Sequence, residues 1–156
     1  METVIIDALG ASVLESLSVM TMTSVVKGVP RKGADLKIRG EVVGIIGLSG
    51  PNSNGVLIIS FEQNSIFEML ENMLGERYST LSAEVLDAIG EMTNIVCGDL
   101  KRRLSELGYQ ISMASPTVVR GADAQLSQEN RSEFISIPFS TSSGRFVVET
   151  NLCCTS

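Results

Sequence analysis

The longest patterned stretch of the chain runs from Leu81 to Leu107 and reads as one amphipathic helix. Ser79 or Thr80 can cap its start, and Gly108 stops it. Glu84 stands in the first turn and Lys101-Arg102-Arg103 near the end, as the helix dipole favours. At about 100° per residue, Val85, Ile89, Met92, Val96, Leu100, Leu104 and Leu107 fall on one side. That is a core stripe, and any fold for this chain has to cover it.

The opposite side carries Asp87, Glu91, Asn94 and Gly98, at spacings of four, three and four residues. A polar outer face is ordinary for such a helix. These particular residues are not. Asp87 and Glu91 are like charges at i,i+4, which weakens a helix. Asn94 is a poor mid-helix residue, and Gly98 costs about 1 kcal/mol relative to Ala. Local rules are broken most often where a surface is used. A Gly on that line also lets another backbone come close.

The remaining elements surround this helix. Val4 to Val26 reads as a helix, with Ile5, Leu9, Val13, Leu17 and Met20 at helical spacing, and Gly28-Val29-Pro30 ends it. Leu36 to Leu48 and Val56 to Phe61 read as a strand hairpin around the turn Ser49 to Gly55. A short helix, Ser65 to Leu74, has Asn64 as its expected cap and Gly75 as its stop. Three strands follow: Gln110 to Arg120, Glu133 to Phe139 and Arg145 to Leu152. The loop Gly121 to Ser132 and the turn Ser140 to Gly144 separate them. The order α-ββ-α-α-βββ predicts an α+β fold, an antiparallel or mixed sheet with long helices packed on it. A long helix followed by strands occurs in both halves, a weak internal echo without a residue-level repeat.

Composition narrows the chemistry. The chain has 156 residues, 44% of them hydrophobic, which suits one domain spanning 1–156. It has no His, which removes Ser-His-Asp and Cys-His catalysis and every metal site that relies on imidazole. Its three Cys show no CxxC spacing, and Cys97 reads as a small core hydrophobe. The net charge of −6 argues against a partner such as nucleic acid. The first residues, Met1-Glu2-Thr3-Val4-Ile5-Ile6-Asp7, lack the basic region of a signal peptide. Asp7, Glu15 and Lys27 interrupt the first apolar segment, so no membrane span is expected and a cytoplasmic location is. The methionines at helical positions read as adaptable packing, and Lys101-Arg102-Arg103 as a helix-end feature rather than a docking site.

The run Asp87-x3-Glu91-x2-Asn94, with 21 residues before Pro116, resembles the signature of the CheC/CheX/FliY phosphatases of bacterial chemotaxis. The element order resembles that family over nearly the whole chain, which implies the CheC-like fold. CheC-type members carry two motif helices. Here the first helix offers only Glu15-x2-Ser18, with Ser in place of Asn, so the chain is most similar to the single-motif CheX branch.

The resemblance implies hydrolysis of the phosphoaspartate of a CheY-like receiver domain, and a homodimer. It assigns Asn94 to orient the attacking water and Glu91 to pair with the receiver's active-site lysine. Asp87 is a supporting residue at the rim, Gly98 permits close approach, and Pro116 fixes the adjoining strand. No metal or cofactor belongs to the chain itself, because Mg²⁺ and the lysine come with the receiver. Two other readings compete: a non-catalytic module that binds a receiver or a flagellar-switch protein, and a structural domain whose polar stripe is merely solvated.

Overall fold

The structure is a computed structural model and describes residues 2–33, 42–51, 54–120 and 134–152. The first helix has three parts: α1 (Glu2–Val13), a π-helical turn (Leu14–Ser18) and α2 (Val19–Thr21). It ends five residues before the expected Val26, because Met22 adopts the left-handed conformation at φ 53°. Val26 belongs instead to a short strand, β1 (Val26–Lys27), and Arg31–Lys32 forms β2.

The hairpin is β3 (Val42–Ser49) and β4 (Asn54–Phe61), paired antiparallel from Val42↔Phe61 to Ser49↔Asn54. The expected start of its first strand at Leu36 lies outside the described residues, as do Asn52 and Ser53 of the turn. Helix α3 (Gln63–Leu74) closes on Gly75 at φ 77°. Asn64 is not its cap. The N-cap is Glu62, whose carboxylate is drawn away to accept from the Arg145 backbone N–H at 2.7 Å.

Helix α4 (Ala83–Glu106) is the predicted long helix, shortened at both ends. Ser82, not Ser79 or Thr80, is the cap, and its hydroxyl accepts from the Val85 N–H at 3.3 Å. Leu107 drops out of the core stripe. It terminates the helix with φ −92° and is 58% exposed.

The expected strand Gln110 to Arg120 is broken in two, β5 (Ser112–Met113) and β6 (Thr117–Arg120), with Pro116 in the break. The loop Gly121 to Ser132 lies outside the described residues. The last two strands, β7 (Ile135–Ser140) and β8 (Arg145–Thr150), shift by one or two residues from expectation.

One antiparallel sheet joins all eight strands in the order β1-β7-β8-β4-β3-β5, with β2 beside β1 on β7 and β6 beside β5 on β3. This topology gives the internal echo a physical form. Each half contributes a long helix, a broken strand and a hairpin. The broken strand of each half crosses over to pair with the other half's hairpin. Matching details recur. Met22 and Gly108 both end their helices at positive φ. The Gly28 N–H bonds to the Pro138 carbonyl at 2.7 Å, and the Ala114 N–H bonds to that of Gly47 at 2.9 Å. Pro30 and Pro116 each precede the second piece of their broken strand. No sequence identity marks the repeat because the two halves meet different packing at nearly every position.

Helices α1 and α4 pack together against the sheet. Ile5, Leu9, Val13 and Leu17 of the first meet Val85, Ile89, Met92, Val96, Leu100 and Leu104 of the second in one buried cluster. Phe61, Phe146 and Phe139 lie beneath, with ring centroids 5.4 and 5.2 Å apart. The segment Thr3–Thr21 has the length and apolar character of a membrane span, at mean hydropathy 1.6. Its two acids, Asp7 and Glu15, do not break it as expected. Its apolar side is used here to cover α4.

Candidate active site

Small groups line the inner side of α4 where it packs on the sheet. Gly44 on β3 faces Thr93. A Cβ at Gly44 would overlap Thr93 Oγ1 and stand 3.1 and 3.2 Å from Thr93 Cβ and Cγ2. Thr93 is fully buried, and its hydroxyl donates to the Ile89 carbonyl at 2.8 Å. One turn earlier, the buried Gly90 faces β6, where a Cβ would meet Val118 Cγ2 in ordinary contact at 3.5 Å. Thr93 and Gly90 each precede a residue of the polar line by one position, so this contact sets where that line stands.

Between the helix and the β5–β6 edge opens a cleft of about 940 Å³. Leu86, Asp87, Gly90, Glu91 and Asn94 form one wall, and Met113, Ala114, Ser115, Pro116 and Val118 form the other. The sequence-predicted Asp87, Glu91, Asn94 and Pro116 therefore share one site. Gly98 does not line it. It sits one turn beyond, half-buried, with nothing within 4 Å of the place a Cβ would take. Gly90 was not among the residues singled out in the sequence. Its signal was a glycine directly preceding Glu91, on the inner side of the wheel.

The polar groups here are unsatisfied by the described residues. Asp87 and Glu91 are exposed, and neither has a cation partner among the described residues. The half-buried Asn94 carboxamide makes no hydrogen bond to any described residue. Most buried amides find partners, so an Asn held at a cleft mouth with two donors and an acceptor free is set to bind water or a ligand. The nearby thiol is not reactive. Burial pushes the Cys97 pKa up to about 12. Among the described residues, no three His, Cys, Asp or Glu are placed to hold a metal ion.

The second helix of the doubled frame offers no comparable face. Glu15 is ion-paired with Arg103 of α4, and the Ser18 hydroxyl donates to the Thr23 carbonyl at 2.9 Å. Its acid and its hydroxyl are spent within the protein.

The doubled α+β sheet with two long helices packed on it is the fold of CheC-like domains. A CheC-like superfamily protein from Shewanella sp. PV-4 has the same fold, at TM-score 0.88 and 35% identity, over 99% of this chain and 98% of that one. The chemotaxis protein CheX from Vibrio vulnificus matches at TM-score 0.88 and 34% identity, covering 96% and 99% of the two chains. The CheY-P phosphatase CheX of Thermotoga maritima is 32% identical over 127 residues, 81% of each chain. The family described as chemotaxis phosphatase CheX matches residues 42–140, and this chain belongs to that family.

Proposed function

We propose that the chain removes the phosphoryl group from the aspartate of a CheY-like receiver domain, acting as one domain in the cytoplasm. The observation that carries this reading is the Asn94 carboxamide, one turn from Glu91, both without a partner among the described residues and both lining one cleft.

Phosphoryl transfer needs an in-line water and neutralisation of charge on the transferring oxygens. The receiver supplies the second through its own Mg²⁺ and lysine. The phosphatase has to hold the water. Asn94 can accept from and donate to it without titrating, and the loose transition state asks little of a base. Glu91 would repel a phosphoryl group met directly. Paired with the receiver's lysine, it anchors α4 over the phosphorylated aspartate. Asp87 adds charge at the rim, and Gly98 admits the partner's backbone. Pro116 holds the facing wall by breaking the edge strand. The resemblance also assigns a homodimer. Exposed Val19, Met22, Val26 and Val29 beside the β1 edge support it, and sedimentation at graded concentration tests it.

The functional test is phosphate release from a panel of phosphorylated receivers, with wild type and Asn94→Ala side by side. Faster release that Asn94→Ala removes while binding persists supports the reading. Tight binding with no change in phosphate lifetime makes the chain a binding module instead.

A further inference from the structure

The basic cluster near the end of α4 is not one feature. Arg102 bonds to Asp99 at 2.8 Å and to Glu106 at 3.0 Å. Arg103 bonds to Asp99 at 2.7 Å and pairs with Glu15. Arg103 reaches the first helix, and Arg102 is held between two acids of α4 itself. Lys101 is exposed and has no ion-pair partner among the described residues.

Lys101 instead lines a second cavity of about 460 Å³, with Ser105, Gln110 and Ser112 among its polar walls. This cavity is separate from the first, and the two share no lining residue; β5 stands between them, with Met113 lining the first and Ser112 the second. Both border α4. Lys101 follows Asn94 by seven residues, two turns and about 10 Å along the axis, close to the same line of the helix. Gly98 lies between them, with its backbone open and no packing partner that requires a glycine.

We infer that Gly98 and Lys101 form the second half of the receiver-docking face, Lys101 pairing with a carboxylate at the rim of the receiver's phosphorylation site. This rests on the functional reading above. A domain that is phosphorylated on aspartate and binds Mg²⁺ there has to gather carboxylates around that site. The helix then presents an acid, Glu91, to the partner's cation and a base, Lys101, to its acids, about 15 Å apart along the axis. A face with opposite charges at its two ends docks in one direction only. The helix dipole accounts for a basic residue at this end. It does not account for one that is unpaired while its two neighbours are each doubly bonded.

The test measures phosphate release over a range of phosphorylated receiver concentrations, at low and moderate salt. Lys101→Glu raises KM about fivefold or more and leaves kcat unchanged, because a rim charge steers encounter rather than chemistry. Lys101→Gln gives a smaller rise and flattens the salt dependence of KM. Arg102→Gln, the same change of charge one residue away, leaves KM within about twofold. Binding to the receiver loaded with beryllofluoride and Mg²⁺ follows the same order, and thermal melts confirm that each variant folds. An unchanged KM in Lys101→Glu overturns the inference while the phosphatase reading stands. An equal rise in Arg102→Gln also overturns it, since net charge alone then explains the effect. A wild-type protein that neither binds nor dephosphorylates any receiver removes the functional reading and this inference with it.

Discussion

The two long helices occupy equivalent places in a doubled sheet, yet only one leaves its acid and polar side chain unpaired among the described residues. On α1 the acid of the potential motif, Glu15, is bonded to Arg103, and Ser18 caps the turn that ends the helix. On α4 the corresponding kinds of residue, Glu91 and Asn94, have no partner among the described residues. The difference is one of satisfaction, not of position. A polar side chain becomes available for function when the fold declines to use it, and the doubled frame supplies the control within a single chain.

The sharpest way to break this comparison is at Asn94. Replacement by Ala leaves Glu91 and the cleft in place but removes the group proposed above to orient water. Phosphate release from the receiver should fall on the order of a hundredfold or more, since misplacing a reacting atom by about 1 Å already loses that much. Receiver binding should persist. Single-turnover release at saturating enzyme, beside binding to the beryllofluoride-loaded receiver, checks both halves.

Gly44→Ala attacks the same site from beneath. The added methyl overlaps Thr93 Oγ1 and crowds Thr93 Cβ at 3.1 Å, which no χ1 rotation moves, so Thr93 has to leave its rotamer and its bond to Ile89 or α4 has to shift. Overpacking of this kind costs about 1–3 kcal/mol, and a displaced Asn94 lowers release as well. Thr93→Ala in the same chain removes the hydroxyl and methyl and leaves only the 3.1 Å contact to Cβ. The double variant should therefore recover part of both losses. Urea melts and release rates on the two singles and the double measure the coupling. Additive losses would show that the contact does not set the helix position.

The carboxylate that holds Arg102 and Arg103 on α4 gives a smaller and pH-dependent effect. Burial raises the Asp99 carboxyl, and hydrogen bonds from Arg103 and Arg102 outweigh it, so the group sits below its usual range. A lowered folded pKa contributes stability that is present above the unfolded value, about 3.9, and is lost as pH falls through the folded one. Asp99→Asn should thus be less stable than wild type by up to about 1 kcal/mol at pH 7. The gap should narrow as pH falls below about 4. Urea unfolding at pH 7 and near pH 3 reads it directly. A gap that widens in acid would contradict the sign.

What the sequence made legible was local. The apolar stripe of α4 needed only 3.6-residue periodicity, and Gly75 and Gly108 needed only positive φ at helix ends. Asp87, Glu91 and Asn94 were visible as poor helix choices on one line. The hidden parts depend on contacts far apart in the chain. Three hydroxyl residues precede α4, and only the fold chooses Ser82 as the cap. The break at Pro116 and the crossing of each short strand to the other half depend on partners dozens of residues away. Gly90 and Thr93 looked like filler because close helix–sheet approach leaves no periodic trace. Leu107 matched the stripe but fell past the last helical turn, where its side chain meets solvent.

The last prediction asks whether restoring the motif residue restores the site. Ser18→Asn completes an acid-x2-Asn sequence on the first helix, and a reading from sequence alone would expect a second active face. The structure says otherwise. Glu15 and Ser18 fall inside the π-helical turn Leu14–Ser18, where the extra residue rotates the line of the face. Glu15 would still be held by Arg103, and the new amide would inherit the bond to the Thr23 carbonyl. Ser18→Asn should leave phosphate release at the wild-type rate, and placed in the Asn94→Ala background it should leave release at background. Exchange of the hydroxyl bond for an amide bond should change stability by about 1 kcal/mol at most. Recovery of release in the double variant would mean that motif identity, not freedom from internal partners, decides which helix is active. A third replacement, Arg103→Ala, sharpens the point. If it frees Glu15 and still gives no second activity alongside Ser18→Asn, the π turn is what keeps the first helix silent.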